Sequence, residues 1–314
     1  MNYPQVSIII LNWNGLEDTV ECLQSLKGIT YPNYNVIVVD NGSVGGDVEG
    51  LRTKFKDYIH IIANDKNYGF TGGNNIGMRY ALKNCKPESF LLLNNDTVVD
   101  SDFLTELVSA SEENPSVGIA GPKTYLFDDP HRFQLVWLKI NMLKGKGNHV
   151  GSRELDRGQY ESVREVDCVQ GSCFFIKQAV IEKIGLLDEG YVNYWDEPDY
   201  CARARKAGYR IVYCPRARIW HKISRTAEKV SGLFQFYNTR NRFWFMKKYA
   251  TRKQLAFFIC WFFLYELWLQ SGILLLYHKN LKALVSLYRG TIEGLRKPGN
   301  RTLKRKNYQS VRSD

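Results

Sequence analysis

The first 225 residues predict an α/β fold, built on a mainly parallel β-sheet with helices on both faces. Short runs rich in β-branched residues alternate with stretches of helical periodicity. The short runs are continuously apolar, and several end in Asn, Asp, Gly or Ser. Strands that are apolar on both sides and alternate with helices indicate a parallel sheet that is covered on both faces.

The predicted elements follow a regular order along the chain. Strands are predicted at VSIIILNWN, YNVIVVDNGS, HIIAND and SFLLLNNDTVV, and helices at LEDTVECLQSLKGI, TGGNNIGMRYALKNC and SDFLTELVSASEENP. The last of these helices starts at Ser101-Asp102 and stops at Pro115, as helix start and stop preferences predict. A further helix is predicted at YCARARKAGY, directly after a cluster of acidic residues.

The composition is that of an ordinary globular protein. Of 314 residues, 44% are hydrophobic and 24% are charged, which excludes a disordered chain, a collagen and a disulfide-rich miniprotein. The seven cysteines are scattered and form no C-x-x-C pair, so reduced thiols in a cytosolic setting are expected. The N-terminal MNYPQVSIIILNWNG has no basic segment and no cleavage site, and predicts a first strand rather than a signal peptide.

The positive charge of the chain is concentrated in its last quarter. Residues 1–239 carry 27 basic and 29 acidic side chains, whereas residues 240–314 carry 16 basic and 3 acidic ones. Such an asymmetry indicates an anionic partner for the basic part, either membrane lipid or nucleic acid. Because the same part holds the most apolar stretch of the chain, a membrane is expected and nucleic acid is not. A solvated basic tail without a partner is the alternative.

That apolar stretch runs over the 23 residues from Leu255 to Tyr277 and contains no Lys or Arg. As a helix it is long enough to span ~30 Å of hydrocarbon, although the central Glu266 costs roughly 2.5–3.5 kcal/mol there. A single span, a hairpin broken near Ser271-Gly272, a segment in the membrane plane and a buried helix of a soluble domain all remain open. The following LKALVSLYRGTIEGLR predicts an amphipathic helix.

Three segments follow from these patterns. Residues 1–245 are predicted to form the α/β domain and residues 246–298 a helical region associated with a membrane surface. Residues 299–314 are predicted to be a disordered basic tail.

Polar side chains follow several of the predicted strands. The strand ends carry Asn12-Trp13-Asn14, Asp40 and Asn94-Asn95-Asp96, and parallel strands bring their carboxyl ends to one edge of a sheet. The sequence has no G-x-G-x-x-G after the first strand and no G-x-x-x-x-G-K-[ST], which argues against dinucleotide oxidoreductases and Walker-type hydrolases. One carboxylate at such an edge can bind a base or ribose, and a second can hold a divalent cation against a diphosphate.

The blocks VSIIILNWNG, VIVVDNGS, NYGFTGGNNIG and LLLNNDTVV resemble, in this order and spacing, the family-two inverting glycosyltransferases of the GT-A fold. The rhamnosyltransferase-like subgroup is the most similar. The resemblance continues through GSCFFIKQAVIEKIGLLDE and YWDEPDYCARARKAGYRIVYCPRARIWH, and it covers residues 5–245. It implies a GT-A fold and a nucleoside diphosphate sugar as donor.

The resemblance also implies roles for individual residues around the donor. Asp40 matches the position that contacts the base, and Asn12 and Asn14 lie in the first loop under the nucleotide. The residues that match the start of the helix beside the nucleotide sugar are Gly69, Gly72, Gly73 and Asn74.

Asn94-Asn95-Asp96 stands where the family has its D-x-D motif, and this chain departs from that motif at Asn94. Asn95 and Asp96 are expected to bind the nucleotide sugar. Asp96 and His221 are expected to hold a divalent cation, Mg²⁺ or Mn²⁺. The replacement of the first acid by Asn94 leaves fewer anionic ligands for that cation.

The catalytic base is expected in the acidic cluster Asp196-Glu197-Pro198-Asp199. Inverting transfer needs a base for the acceptor hydroxyl, and crowded carboxylates raise one another's pKa. The resemblance makes Glu197 the base and Asp196 the second candidate. Asp199 is expected to hold acceptor hydroxyls or to cap the helix, and Gly171 and Ser172 match an acceptor-side loop.

Two further sites match recurrent patterns of the family. They are Arg225 and Arg240-Asn241, and the sequence assigns neither of them a role.

The predicted function is inverting transfer of a sugar from a dTDP-rhamnose-like or UDP-sugar donor to a hydroxyl of a glycan or lipid-linked acceptor. The expected place is the cytoplasmic face of the membrane, in cell-surface polysaccharide or glycoconjugate synthesis. Two alternatives stay open. One is a nucleotidyltransferase on a related sheet, and the other is a non-catalytic module that binds a nucleotide sugar or a membrane.

Overall fold

The computed structural model describes residues 3–222 and 232–296. Its centre is a sheet of ten strands, beside a separate two-stranded hairpin formed by β8 and β9. The strands are β1 Val6–Asn12, β2 Tyr34–Asp40, β3 Ile59–Ala63, β4 Ser89–Asn94, β5 Thr97–Val99, β6 Val117–Leu126, β7 Phe133–Leu135, β8 Trp137–Asn141, β9 Lys146–Val150, β10 Arg164–Glu165, β11 Cys173–Lys177 and β12 Arg210–His221.

The sheet has the order β10-β12-β6-β11-β4-β1-β2-β3, with β5 beside β12 and β7 beside β6. Strands β4, β1, β2 and β3 are parallel neighbours, as are β6 and β12. The predicted parallel sheet is therefore confirmed for its first half, and β11 makes the whole sheet mixed. Strand β11 starts beside the end of β4 and runs antiparallel to it, so no crossover helix is needed between them.

Helices cover both faces of the sheet, as predicted. They are α1 Leu16–Leu26, α2 Asp47–Phe55, α3 Gly69–Asn84, α4 Phe103–Glu112, α5 Gln178–Ile184, α6 Asp196–Lys206, α7 Gly232–Tyr249, α8 Arg252–Tyr277 and α9 Leu281–Leu295. Helices α1, α2 and α4 bury one face together with Ile8 and Ile10. Helices α3, α5 and α6 bury the other face together with Ile9, because successive strand residues point to opposite sides.

The glycines of α3 have a packing role. A Cβ added to Gly73 would lie 2.3 Å from Leu11 Cδ1, and one added to Gly77 would lie 2.6 Å from Ile9 Cγ2. Residues four apart share a helix face, so both glycines turn toward β1. Their missing side chains let the helix lie close against the sheet, which brings its N-terminus beside the ends of β1 and β2.

A third apolar cluster joins the C-terminal helices to the α/β domain. It includes Tyr191 and Trp195 from the loop before α6, and Phe243, Phe258 and Leu287 from α7, α8 and α9. Helix α7 runs through the predicted boundary between residues 245 and 246 without a break. The predicted tail, residues 299–314, lies outside the described residues.

Helix α8 is long and apolar enough to cross a membrane, and it is the one described helix with that property. Only 22% of its most apolar segment is buried within the protein. Two stretches of the helix, Phe262–Glu266 and Ile273–Tyr277, are π-helical. Core helices of soluble proteins can have the same length and composition, so this feature alone is weak evidence for a span.

Candidate active site

The strand ends meet at one edge of the sheet, as expected. The register places Asn12 of β1 beside Asp40 of β2, and Leu11 beside Asn94 of β4. Strand β11 adds the loop that contains Ser172, whose carbonyl oxygen accepts a hydrogen bond from the Asn94 N–H at 2.9 Å. The elements that carry the predicted site residues therefore come together here.

Asp40 is 2% exposed and belongs to a closed network of hydrogen bonds. Its Oδ1 accepts from Asn12 Nδ2 at 2.7 Å, and its Oδ2 accepts from the Ser43 N–H at 3.0 Å. The same Asn12 nitrogen lies 3.0 Å from Asp47 Oδ2, while Asn12 Oδ1 accepts from Thr19 Oγ1 at 2.7 Å. We call these five residues the strand-end network. It fixes the loops after β1 and β2.

Other predicted donor residues are tied to the protein around this network. Asn14 has a positive φ of 50°, and its N–H donates to Ser43 Oγ at 2.8 Å. Asn95 Nδ2 donates to Thr19 Oγ1 at 2.9 Å, and Asn74 Nδ2 donates to the Phe70 carbonyl at 2.9 Å. These side chains shape the loops, and their roles toward a nucleotide stay predictions.

The start of α3 also depends on its glycines. Gly69 has a φ of +76°, in the region that favours glycine. A Cβ on Gly72 would lie 3.0 Å from the Cβ of Tyr68.

The two predicted metal ligands are in contact. Strands β5 and β12 pair antiparallel with His221 opposite Thr97, which places the imidazole next to Asp96. His221 Nε2 lies 2.9 Å from Asp96 Oδ1, and His221 Nδ1 lies 2.8 Å from Gln134 Oε1. An amide oxygen only accepts, so Nδ1 donates its hydrogen to Gln134, and Nε2 is the ring nitrogen directed at Asp96.

This pair fits a divalent cation that binds together with a phosphate ligand. The Asp96 carboxylate oxygen and His221 Nε2 lie close enough together for one cation to bind both, and the Gln134 contact fixes the orientation of the ring. The described residues contain no group of three or more His, Cys, Asp and Glu side chains that could hold a metal. The remaining ligands would come from diphosphate oxygens and water.

Asp196 and Glu197 form the first turn of α6. A Cβ on Gly171 would lie 1.9 Å from Glu197 Oε1, so the loop before β11 touches this carboxyl directly. Burial raises the pKa of Glu197, while hydrogen bonds from its own N–H, from Asp196 and from the Gly171 N–H limit that rise. Burial and then the neighbouring Glu197 raise the pKa of Asp196 well above its usual range. The pKa of both carboxyls is therefore raised, and the rise is the larger at Asp196.

One cavity of about 810 Å³ joins the base candidate to the metal pair. Its walls include Asp96, His221, Glu197, Gly171 and Asn94. The volume lies in the range of small-molecule sites. Among the residues of the described ranges that line it, none belongs to the strand-end network.

The loop that leads into α6 has a strained backbone. Val192, Tyr194 and Trp195 have φ values of 64°, 64° and 67°. Residues with side chains rarely adopt this region, and each such position costs about 1–3 kcal/mol. Strain of this kind persists only where surrounding contacts hold it in place.

Asn241 and Arg240, to which the sequence assigned no role, supply those contacts. Asn241 is fully buried, and its Nδ2 lies 2.8 Å from each of three loop carbonyl oxygens, those of Tyr191, Asn193 and Tyr194. Arg240 Nη2 donates to the Gly190 carbonyl at 2.6 Å. Both residues therefore position the loop that carries the catalytic candidates.

The structure does not support the acceptor-side role of Asp199. This residue is 0% exposed, and its carboxylate accepts from Arg203 Nε at 2.9 Å, Lys248 Nζ at 2.7 Å and Tyr249 Oη at 2.8 Å. It links α6 to α7 and does not line the cavity. A buried carboxylate with these partners is a structural anchor. Arg225 lies outside the described residues.

Several residues of the cavity were missed by the sequence analysis. Gln134 lies on the short strand β7, where no pattern marks it. Lys146, Arg242 and Glu266 also line the cavity. Lys146 and Arg242 each form an ion pair with Glu266. Their only sequence signals were the acid inside an apolar stretch and the position of Arg242 next to Arg240-Asn241.

Solved structures with similar folds identify the fold of the protein. A mannosyltransferase from Pyrobaculum calidifontis, solved with GDP-Man and Mn²⁺, has a TM-score of 0.60 and 14% identity over 94% of this chain and 88% of that one. GalNAc-T7, solved with UDP, GalNAc and Mn²⁺, has a TM-score of 0.57 and 13% identity over 86% of this chain and 58% of that one. The fold is thus that of the GT-A glycosyltransferases.

The chain belongs to glycosyltransferase family 2, because the family model described as "Glycosyltransferase like family 2" matches residues 4–246. The low-salt glycan biosynthesis hexosyltransferase Agl10 of Haloferax volcanii is 28% identical over 76% of this chain and 74% of its own. The dTDP-rhamnosyl transferase RfbF of Shigella flexneri is 27% identical over 69% of this chain and 72% of its own. The protein is therefore a glycosyltransferase that uses a sugar nucleotide.

Proposed function

We propose that the protein transfers a sugar with inversion from a nucleoside diphosphate sugar to a hydroxyl of a glycan or lipid-linked acceptor. The observation that carries this proposal is that Glu197 and the Asp96–His221 pair line the same cavity. Family membership removes the support for a nucleotidyltransferase and for a non-catalytic module.

Glu197 is the proposed general base. Its carboxylate takes the proton of the acceptor hydroxyl while that oxygen attacks the anomeric carbon of the donor. The new glycosidic bond forms as the bond to the diphosphate breaks, and the electron pair leaves with the diphosphate. A single displacement of this kind inverts the anomeric configuration. Burial supports the role, because it raises the pKa of Glu197 and so strengthens the carboxylate as a base.

Asp96 and His221 are the residues that would hold Mg²⁺ or Mn²⁺. When bound, the cation neutralises the charge that develops on the leaving diphosphate. Gln134 keeps the imidazole in the required tautomer through its 2.8 Å contact with Nδ1. Asn94 Nδ2 lies 3.4 Å from His221 Nε2 and occupies the place of the missing acid of the family motif.

The donor is proposed to be a dTDP-rhamnose-like or a UDP-sugar. The name of the Shigella flexneri relative supports the dTDP-rhamnose-like donor. The hydrogen bonds of the strand-end network hold the Asp40 carboxylate in a fixed position, where it is proposed to contact the base. Gly69, Gly72 and Gly73 bring the N-terminus of α3 to the same edge, where the positive end of the helix dipole favours anionic ligands.

We place the protein at the cytoplasmic face of the membrane, in the synthesis of cell-surface polysaccharide or glycoconjugate. The support is the exposed apolar surface of α8, where Leu264, Tyr265 and Trp268 are more than half exposed. Flotation of the full chain with anionic and neutral liposomes tests this placement. Binding to DNA in place of both liposomes would contradict it.

A turnover assay tests the reaction itself. The detergent-solubilised protein receives a panel of nucleotide sugars with a lipid-linked glycan extract, with and without Mn²⁺ and EDTA, and released nucleoside diphosphate is measured. Release from one donor, lost in Glu197→Gln and retained in the exposed control Glu113→Gln, supports the proposal. The anomeric configuration of the product, read by NMR, decides between inversion and retention. Full activity of Glu197→Gln would contradict the assignment of the base.

A further inference from the structure

A second charged cluster lies in the cavity wall, apart from the proposed catalytic residues. Glu266 is only 3% exposed, although it sits in the middle of the apolar helix α8. Its Oε2 accepts from Arg242 Nη2 at 2.6 Å, and its Oε1 accepts from Lys146 Nζ at 2.9 Å. Two cations against one carboxylate leave the cluster with a net positive charge. We call these three residues the basic cluster.

Helix α8 contributes Glu266 to the cluster from one face of the helix. Phe262, Glu266 and Gln270 are spaced four residues apart and all line the cavity. The residues between them, such as Leu264 and Trp268, are largely exposed on the outer side of the same helix. The helix that forms this wall of the cavity is therefore apolar and unpartnered on its other face.

Arg242 has a buried donor with no acceptor. The residue is 7% exposed, and its Nε has no hydrogen-bond partner among the described residues, whereas its Nη2 is bonded to Glu266 and to the Lys144 carbonyl. Gly145 packs directly beside this nitrogen, because a Cβ there would stand 3.2 Å from Nε. Burying a donor of a charged group without an acceptor is costly, so a ligand oxygen is expected there.

We propose that the basic cluster binds the phosphate group of an amphiphilic acceptor whose hydrocarbon chain lies along the apolar face of α8. The inference rests on the proposed function, since it names the acceptor of that reaction. Guanidinium and ammonium groups bind phosphate oxygens through charge-assisted hydrogen bonds, and Arg242 and Lys146 both line the cavity.

Glu266 positions these two cations. Its carboxylate holds Arg242 and Lys146 beside each other on the cavity wall. The cluster thereby selects acceptors that carry a phosphate next to the sugar over neutral glycosides of the same sugar.

Equilibrium binding tests the proposal without any turnover. Farnesyl diphosphate, farnesol and inorganic diphosphate are titrated into the detergent-solubilised full chain, in EDTA and without donor, so that the metal pair does not contribute. We expect farnesyl diphosphate to bind at least about tenfold more tightly than either other probe, since it alone satisfies the cations and the apolar face. Equal binding of farnesol would overturn the phosphate site, and equal binding of inorganic diphosphate would overturn the amphiphile.

Variants of the cluster have effects of opposite sign. Arg242→Gln and Lys146→Gln should each weaken farnesyl diphosphate binding about tenfold, because each removes a charge-assisted bond. Glu266→Gln should leave binding intact or tighten it, because it removes the negative charge beside the phosphate. Arg289→Gln is the matched control, since it removes one positive charge at an exposed position of α9.

Thermal melting of each variant separates binding from folding. Arg242→Lys keeps a cation beside Glu266 but lacks the Nε–H, so it should fold as the wild type does and still lose affinity. Lower melting temperatures with unchanged affinity would show that the cluster only clamps α8 to its neighbours and would overturn the proposal. Donor turnover measured on the same samples reports separately on the proposed function.

Discussion

The strand-end network and the cavity differ in how their buried polar atoms are satisfied. In the network, both oxygens of Asp40 and both polar atoms of Asn12 have partners inside the protein. Around the cavity, Gln170 Oε1, Ser172 Oγ and Asp196 Oδ2 have none within the described ranges, nor does Arg242 Nε. Because buried polar groups nearly always pair, the unpaired atoms mark where ligand atoms belong. The polar atoms of the network are satisfied within the protein, whereas the cavity has buried polar atoms that a ligand could satisfy.

Backbone strain is more frequent beside the cavity, where three residues with side chains have positive φ, than in the loops of the strand-end network, where one residue, Asn14, does. The three positive-φ residues Val192, Tyr194 and Trp195 lie in the loop next to the cavity, and their strain is held by Asn241. Strained backbone of this kind clusters at functional sites, where it keeps side chains in position for a reaction.

Replacing one carboxylate by an amide in each region should give the largest effects, a loss of activity in the cavity and a loss of stability in the network. Glu197→Gln should lower kcat by about 10²–10⁴-fold, because the general base is lost, and should leave the melting temperature no lower. Asp40→Asn should instead cost about 1–3 kcal/mol of folding stability, because a new donor faces Asn12 Nδ2 or the Ser43 N–H. Steady-state kinetics and denaturant unfolding measure both variants. A stable Asp40→Asn would refute the closed network.

The loop contacts predict the next largest effect. Asn241→Asp is isosteric but loses the N–H donors to the loop carbonyls, so we expect about 1–3 kcal/mol of lost stability and a lower kcat. Asn238→Asp is the matched control, because it keeps the oxygen that accepts from Trp195 Nε1 at 2.8 Å. Donor affinity, measured by titration, should change in neither variant. An equal loss of kcat in both would argue against a specific role of Asn241.

The sequence predicted the first half of the sheet well for a physical reason. Strands β1, β2 and β4 are buried on both faces, so their apolar runs are continuous and their polar ends stand out. Parallel pairing then brings Asn12 and Asp40 together by register alone. The pairing of Asp96 with His221, by contrast, came from family resemblance, because the two are 125 residues apart.

The rest of the site was not predictable, because it depends on contacts that leave no local pattern. Strands β7 and β8 have only three and five residues, so Gln134 carries no periodic signal. No sequence pattern explained an acid at Glu266 in an apolar stretch, because its partners Arg242 and Lys146 come from other elements. Asp199 looked like a ligand residue because its anchoring partners Lys248 and Tyr249 lie in α7, far along the chain.

Removing one hydroxyl from the network and one from beside the cavity tests the same difference with smaller effects. Thr19→Ala should cost about 1 kcal/mol, because Thr19 Oγ1 bonds both Asn12 Oδ1 and Asn95 Nδ2. Ser172→Ala should change stability by less than about 0.5 kcal/mol, because the buried Ser172 Oγ has no partner to lose. Denaturant unfolding measures both differences. A larger loss for Ser172→Ala would contradict the view that the cavity side lacks internal partners.

The last prediction concerns how the stability of the protein depends on pH through two carboxyls in the first turn of α6. The pKa of Asp196 is raised well above its usual 3.8, first by burial and then by Glu197, so the folded state holds its proton more tightly than the unfolded chain does. Stability is therefore lost as the pH rises from about 3.8 through the folded pKa. Asp196→Asn should melt higher than wild type at pH 7, and the difference should vanish as the pH falls toward 3.8.

Asp199, three residues further on, should respond in the opposite direction. Its carboxylate is buried between Arg203 and Lys248, so Asp199→Asn leaves two cations without their partner and should lower the melting temperature at pH 7. Melting curves between pH 4 and 8 separate the two variants. If both lowered stability alike, Asp196 would be a structural anchor like Asp199, and the rise of its pKa on folding would be contradicted.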